Sequence, residues 1–210
     1  MALTKSQKCK VKIGIKVAEF IDEILSRKFY TDVCHFTAAQ LRRAADQCTL
    51  MQSMLLLDVK HNEYELKSIS ENDILDYAAS LHNNYPEESK ERLVAIMDYL
   101  EKGFEKKEKF MKKINIPMFI YMADEAMEHD IAAEDFYSWF KEFADNYKPN
   151  DDYSQYCSTG SIKKEKVLGR IEVLKADFAK YFADKKEDEH DNMRNDEQND
   201  EEEMEELPFN

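Results

Sequence analysis

Residues 132–147 read AAEDFYSWFKEFADNY, and their aromatic rings fall at Phe136, Trp139, Phe140, Phe143 and Tyr147. Intervals of three and four follow the turn of an α-helix and put the rings on one face. Glu134, Asp135, Lys141, Glu142 and Asp145 leave the other face charged. A half-buried strand would alternate with period two, and this segment does not. It reads as an amphipathic helix whose rings are core rather than a base-stacking platform. Trp139 is therefore expected to be buried.

The same period recurs along the chain. Ile13, Val17, Phe20, Ile21, Ile24 and Leu25 predict a helix over 5–28. Thr37 and Gln40 have the spacing of a capping box. The helix that follows, over 38–58, carries Leu41, Ala44, Cys48, Met51 and Leu55 as its stripe. Ser70 opens a helix over 71–83, and Pro86 suits the first turn of a fourth. Residues 117–129 form a fifth, with the apolar run Met118–Met122, and 132–147 the sixth. Val167, Leu168, Ile171, Leu174, Phe178 and Phe182 predict a seventh over 161–184. Only 4 glycines, 4 prolines and 7 valines occur in 210 residues. Sheets need turn formers and β-branched strands, so this composition argues against an all-β fold. The expectation is an all-α protein: a single bundle of about seven helices over 1–184, with a disordered acidic tail over 185–210.

Charge sharpens that division. The formal net charge is −14, yet residues 184–210 hold 13 acids and three bases. The remainder is close to balance. An acidic chain repels the phosphates of duplex DNA, so direct duplex binding is not expected. The chain opens MALTKSQKCK, without an apolar leader, and contains no long uncharged run. Cys9, Cys34, Cys48 and Cys157 form no CxxC pair, and the five histidines show no ligand spacing with them. The reading is a cytoplasmic protein with reduced thiols, no membrane span, no metal and no cofactor. Cys34 and His35 are sequence neighbours, a poor arrangement for a thiolate–imidazole pair. Glu125, Glu128 and His129 share a helix but lack the second copy that a di-metal bundle needs. Lys102, Lys106, Lys107, Lys109, Lys112 and Lys113 alternate with glutamates and read as a solvated face.

Two segments read as binding elements. Residues 153–161 form a polar loop entering a helix, and free amides with adjacent lysines suit a phosphate or a nucleic-acid backbone. The candidate contacts are Ser158, Thr159, Gly160, Ser161, Lys163, Lys164 and Arg170. The loop is not a P-loop, because Gly-Lys-Ser/Thr is absent. The second is the tail segment Glu201, Glu202, Glu203, Glu205, Glu206, Leu207, Pro208 and Phe209. Its acid run and Leu-Pro-Phe resemble the tail of bacterial single-stranded-DNA-binding proteins, with Asn210 added after the phenylalanine. That resemblance implies steering toward a basic partner and a Pro-Phe anchor in an apolar pocket.

Residues 11–54 with 2–8, and residues 153–157 with 163–170, resemble the helical C-terminal half of ParB-like, GmrSD-type proteins of bacteria and phages. In that family the catalytic half is N-terminal and carries Asp-Gly-Gln-Gln-Arg. That motif is absent here, so no catalytic residue is assigned. The resemblance implies a detached, non-enzymatic helical module, derived from a phage or mobile element. Its expected partner is a basic protein of DNA metabolism or DNA defence. In its sharpest form it is an acidic inhibitor of a CRISPR-type nuclease. The alternative is a nucleotide- or nucleic-acid-responsive module of a split GmrSD-type restriction system, binding phosphate at residues 153–170.

Overall fold

Gly14 splits the first predicted helix in two. The computed structural model describes residues 5–149 and 151–205, with the side chains of 5–7, 10 and 186–205 outside that description. Residues 5–28 become α1 (Lys5–Ile13) and α2 (Ile15–Leu25). Gly14 has φ 83°, and a Cβ there would lie 2.2 Å from Asn83 Oδ1. Asn83 N donates to Ile13 O at 2.8 Å, and His82 Nδ1 lies 2.7 Å from Lys12 O. A distant segment thus satisfies the last carbonyls of α1, in a geometry only glycine tolerates.

A second break divides the next predicted helix into α3 (Ala38–Arg42) and α4 (Ala45–Lys60). The capping box forms as expected: Gln40 N donates to Thr37 Oγ1 at 3.2 Å, and Thr37 N to Gln40 Oε1 at 2.8 Å. Ala44 then turns left-handed, with φ 53°. This turn takes Leu41 off the core stripe; it is 49 % exposed. A single wide turn, Phe29–Val33, precedes α3 and carries Phe29, Tyr30 and Val33 inward.

The remaining helices are α5 (Glu71–Ser80), α6 (Glu87–Gly103), α7 (Ile116–Glu128), α8 (Ala133–Asn146) and α9 (Lys164–Glu205). The fold is all-α; among the described residues extended pairing is limited to the isolated bridges His35–Lys112 and Ser68–Lys163. Among the described residues nine α-helices stand where about seven were expected, because of the breaks at Gly14 and Ala44, and α9 runs past its expected end at 184 to Glu205.

α4 and α7 pack together at the centre, as their all-round apolar runs predict. Met51, Met54, Met118, Phe119, Ile120 and Met122 have no solvent exposure. α2, α3 and α5 cover α4, while α6 and α9 cover α7. α8 lies on α6 and α9, burying Phe136, Trp139 and Phe140 completely. Phe119 and Phe140 meet edge to face at 4.9 Å and 86°, the arrangement that pairs a ring's positive edge with a negative face. Val167, Ile171, Leu174 and Phe178 of α9 complete the core, but Leu168 from the predicted stripe is 37 % exposed. Among the described residues no helix is long and apolar enough to cross a membrane.

Candidate functional site

Three connections meet at one corner beside the N-terminal part of α9. Ile69 N donates to Ile162 O at 2.9 Å, joining residues 66–70 to the turn before α9. Tyr153 donates its hydroxyl to Asn115 Oδ1 at 3.0 Å, and Asn115 Nδ2 donates to Phe110 O at 2.9 Å. These bonds tie residues 110–115 to a short 3-10 turn, Ser154–Cys157. Gly169 allows that turn to dock, since a Cβ there would fall 2.4 Å from the Tyr156 ring. Lys166 closes the joint, its Nζ donating to Gln155 O at 2.8 Å.

Arg170 occupies the centre of this corner and is only 1 % exposed. Its Nη2 donates to Ser161 O at 2.7 Å and its Nη1 to Ile114 O at 3.1 Å. Nε is buried and, among the described residues, has no hydrogen-bond partner. Burial disfavours the charged form and draws the guanidinium below its usual range. A cavity of 360 Å³ opens here, with Gln40, Gln52, Ile69, Lys112, Lys113, Ile114, Ser161, Ile162 and Arg170 in its walls.

The structure redistributes the seven predicted anion contacts. Ser161 and Arg170 share this cavity. Ser158, Thr159, Lys163 and Lys164 are exposed outside it, and Ser158 Oγ donates to Gln155 O at 3.0 Å. Gly160 forms the turn between them, with φ 80°. Lys112 and Lys113, read from sequence as part of a solvated face, are exposed as expected but border the cavity. Gln40 and Gln52 gave no signal, because one was read as a cap and the other as helix interior. The tail contacts from Glu201 to Phe209 lie outside the described side chains.

A second and larger concavity, of 680 Å³, lies between α8 and α9. Glu142, Asp151, Asp152, Asp177 and Asp184 line it together with Lys180 and Lys185, with Trp139, Phe143, Tyr147, Tyr153 and Tyr181 in its walls. Lys185 Nζ is 2.5 Å from Asp135 Oδ1 and Asp177 Oδ1 accepts from Trp139, while Asp151 accepts from the amides of Lys148 and Ser154. Glu142, Asp152 and Asp184 are exposed. The groove is therefore acidic over an aromatic wall.

Two buried polar groups lie elsewhere. Lys60 Nζ stands 2.7 Å from Asp124 Oδ2, 2.7 Å from Glu128 Oε2 and 3.3 Å from Glu125 Oε2. His61 Nε2 joins them, 2.8 Å from Asp124 Oδ2. His61, Asp124 and Glu128 have ligand atoms within 4.8 Å of one another, but the Lys60 ammonium already supplies the cation. Sequence reading missed this group, because Lys60 and His61 come from a different helix end than the carboxylates. The other is Asp58, which accepts from Tyr77 at 2.5 Å and from Tyr85 at 3.4 Å. The cysteines are all free thiols. Burial raises the thiols of Cys9, Cys34, Cys48 and Cys157 above their usual range, opposite to the shift an activated thiolate needs.

Comparisons with protein-family models, with curated proteins and with solved structures find no match to this chain.

Proposed function

We propose that the protein is a non-enzymatic binding module that holds a basic segment of a partner protein in the groove between α8 and α9. The observation that carries this reading is the pairing of exposed carboxylates with an aromatic wall in one concavity. Carboxylates attract lysine and arginine heads over a distance, and rings accept their stems and cations at contact. The net charge of −14 supports the same polarity of partner, since a long-range negative field accelerates encounter with a basic surface. The partner class we favour is a cytoplasmic protein of DNA metabolism or DNA defence. Such a protein has a basic nucleic-acid channel, and Glu142, Asp152 and Asp184 would stand where phosphates lie. Inhibition of a CRISPR-type nuclease is the sharpest form of this proposal, and a phage or mobile-element origin accords with it.

The test uses Trp139, the single tryptophan, as the reporter in the groove wall. A nona-arginine peptide is expected to change its fluorescence saturably, with affinity falling steeply as salt rises. A nona-glutamate peptide should have no effect. The triple substitution Glu142→Gln, Asp152→Asn, Asp184→Asn should weaken nona-arginine binding at least tenfold. Unchanged affinity in that variant would remove the groove from the proposal. A nuclease assay with host-extract partners then checks the DNA-handling class; inhibition by the wild type but not by the triple variant is the expected result.

A further inference from the structure

We infer that the corner cavity around Arg170, Lys112 and Lys113 is a binding site for a small phosphate-bearing ligand, separate from the α8–α9 groove. Arg27 pairs with Asp98 and Glu101, Arg92 with Glu63, Lys60 with Asp124, and Lys175 with Glu125. Arg170 is more deeply buried than any of these, yet its partners are two carbonyl oxygens and the Cys157 thiol, none of them a carboxylate. Among the described residues it forms no ion pair, and neither do Lys112 and Lys113.

Carbonyls orient a guanidinium but do not neutralise it. A buried cation without a counter-charge is costly, and the cost falls when an anion is bound beside it. Among the described residues no group accepts the buried Nε–H of Arg170, and the residue lies in the wall of an open cavity. The two lysines stand exposed at the same cavity. Three unpaired positive groups thus converge in a protein that carries 44 acids against 30 bases.

The shape selects the ligand class. A cavity of 360 Å³ is at the small end of ligand pockets, which run from about 300 to 1,000 Å³. The planar guanidinium matches tetrahedral oxyanions through parallel N–H bonds, and lysines add point charge. Gln40 Oε1 is engaged by Thr37 N, which leaves its amide N–H₂ as a further donor. Ile69, Ile114 and Ile162 supply an apolar wall for a small organic group on the phosphate. A phosphate monoester fits this set. A nucleic-acid strand does not, because the cations cluster in one corner instead of tracking a backbone.

The experiment measures thermal unfolding of the full chain with inorganic phosphate, with adenosine monophosphate, and with sodium chloride at matched ionic strength. Either phosphate compound should raise the melting temperature by about 2–4 °C over the chloride control when well above its Kd. A larger rise with the nucleotide assigns the isoleucine wall to an organic group; an equal rise assigns the site to the phosphate alone. The double substitution Lys112→Ala, Lys113→Ala removes two exposed side chains and should fold normally. It should weaken binding at least tenfold in titration calorimetry, and Arg170→Lys should do the same. No rise with either compound overturns the inference. Undiminished binding in the double-lysine variant overturns it as well, because the ligand would then sit elsewhere.

Discussion

Trp139 and Asp177 join α8 to α9 through a hydrogen bond from the indole Nε1 to Oδ1 at 2.8 Å. The ring behind that bond has no solvent exposure and lies 5.0 Å from Phe178, edge to face. Trp139→Ala should therefore destabilise the fold by about 3–5 kcal/mol in urea denaturation, from lost burial and the cavity left behind. Asp177→Ala removes one exposed partner and should cost about 1 kcal/mol. Equal losses from the two variants would contradict this division between packing and polar contact.

Asp58 makes stability depend on pH in an unusual direction. Burial raises its carboxyl from 3.8 to about 6, and the hydrogen bond from Tyr77 opposes only part of that rise. Between those values the folded chain holds a proton that the unfolded chain has released. Asp58 therefore contributes stability that is complete below about pH 4 and is lost as pH rises through 6. Asp58→Asn abolishes the titration. The variant should match the wild type near pH 4 and exceed it at pH 7, by at most about 3 kcal/mol. Unfolding free energies of both proteins across that range provide the check.

Lys60 neutralises a cluster that would otherwise repel itself. Its side chain is 9 % exposed and that of Asp124 is 7 %. Lys60→Met should cost about 3 kcal/mol, because Asp124 is then buried without its cation. The same change removes the ammonium from between Asp124 and Glu128, leaving these carboxylates and His61 without a cation. Zinc is expected to raise the melting temperature of the variant and leave the wild type unmoved; an equal response in both would show that zinc acts elsewhere.

Ala44 carries a cost that a smaller residue avoids. Its left-handed turn, at φ 53°, is one that glycine adopts freely and alanine does not. Ala44→Gly should stabilise the protein by about 0.5–1 kcal/mol, with the strain relief partly offset by a freer unfolded chain. Chemical denaturation of the two proteins decides it, and a loss of stability would mean that the Ala44 methyl group packs more than it strains.

How much of this was legible in the sequence varies with the range of the forces involved. The rings of α8 repeat with the helical turn, so their burial could be read from spacing alone. The break at Gly14 could not, because it depends on Asn83 meeting that backbone from another helix end. The left-handed Ala44 runs against local preference, so spacing alone gives no sign of it. Ser161 and Arg170 line one cavity, but the depth of Arg170 depends on Ile114 O, a group with no sequence signature. Lys112 and Lys113 were hidden by their own surroundings, since interleaved lysines and glutamates look alike whether or not a cavity adjoins them.

The order in which the core is closed has a consequence for synthesis. Phe136 and Trp139 are covered on one side by Phe178 of α9, which leaves the ribosome only after the intervening loop. Until then the nascent chain leaves that side of the ring cluster uncovered, in a period set by translation speed rather than by folding speed. A ribosome pause between the codons for α8 and α9 would lengthen that exposure, and chaperone capture of the arrested chain should peak there.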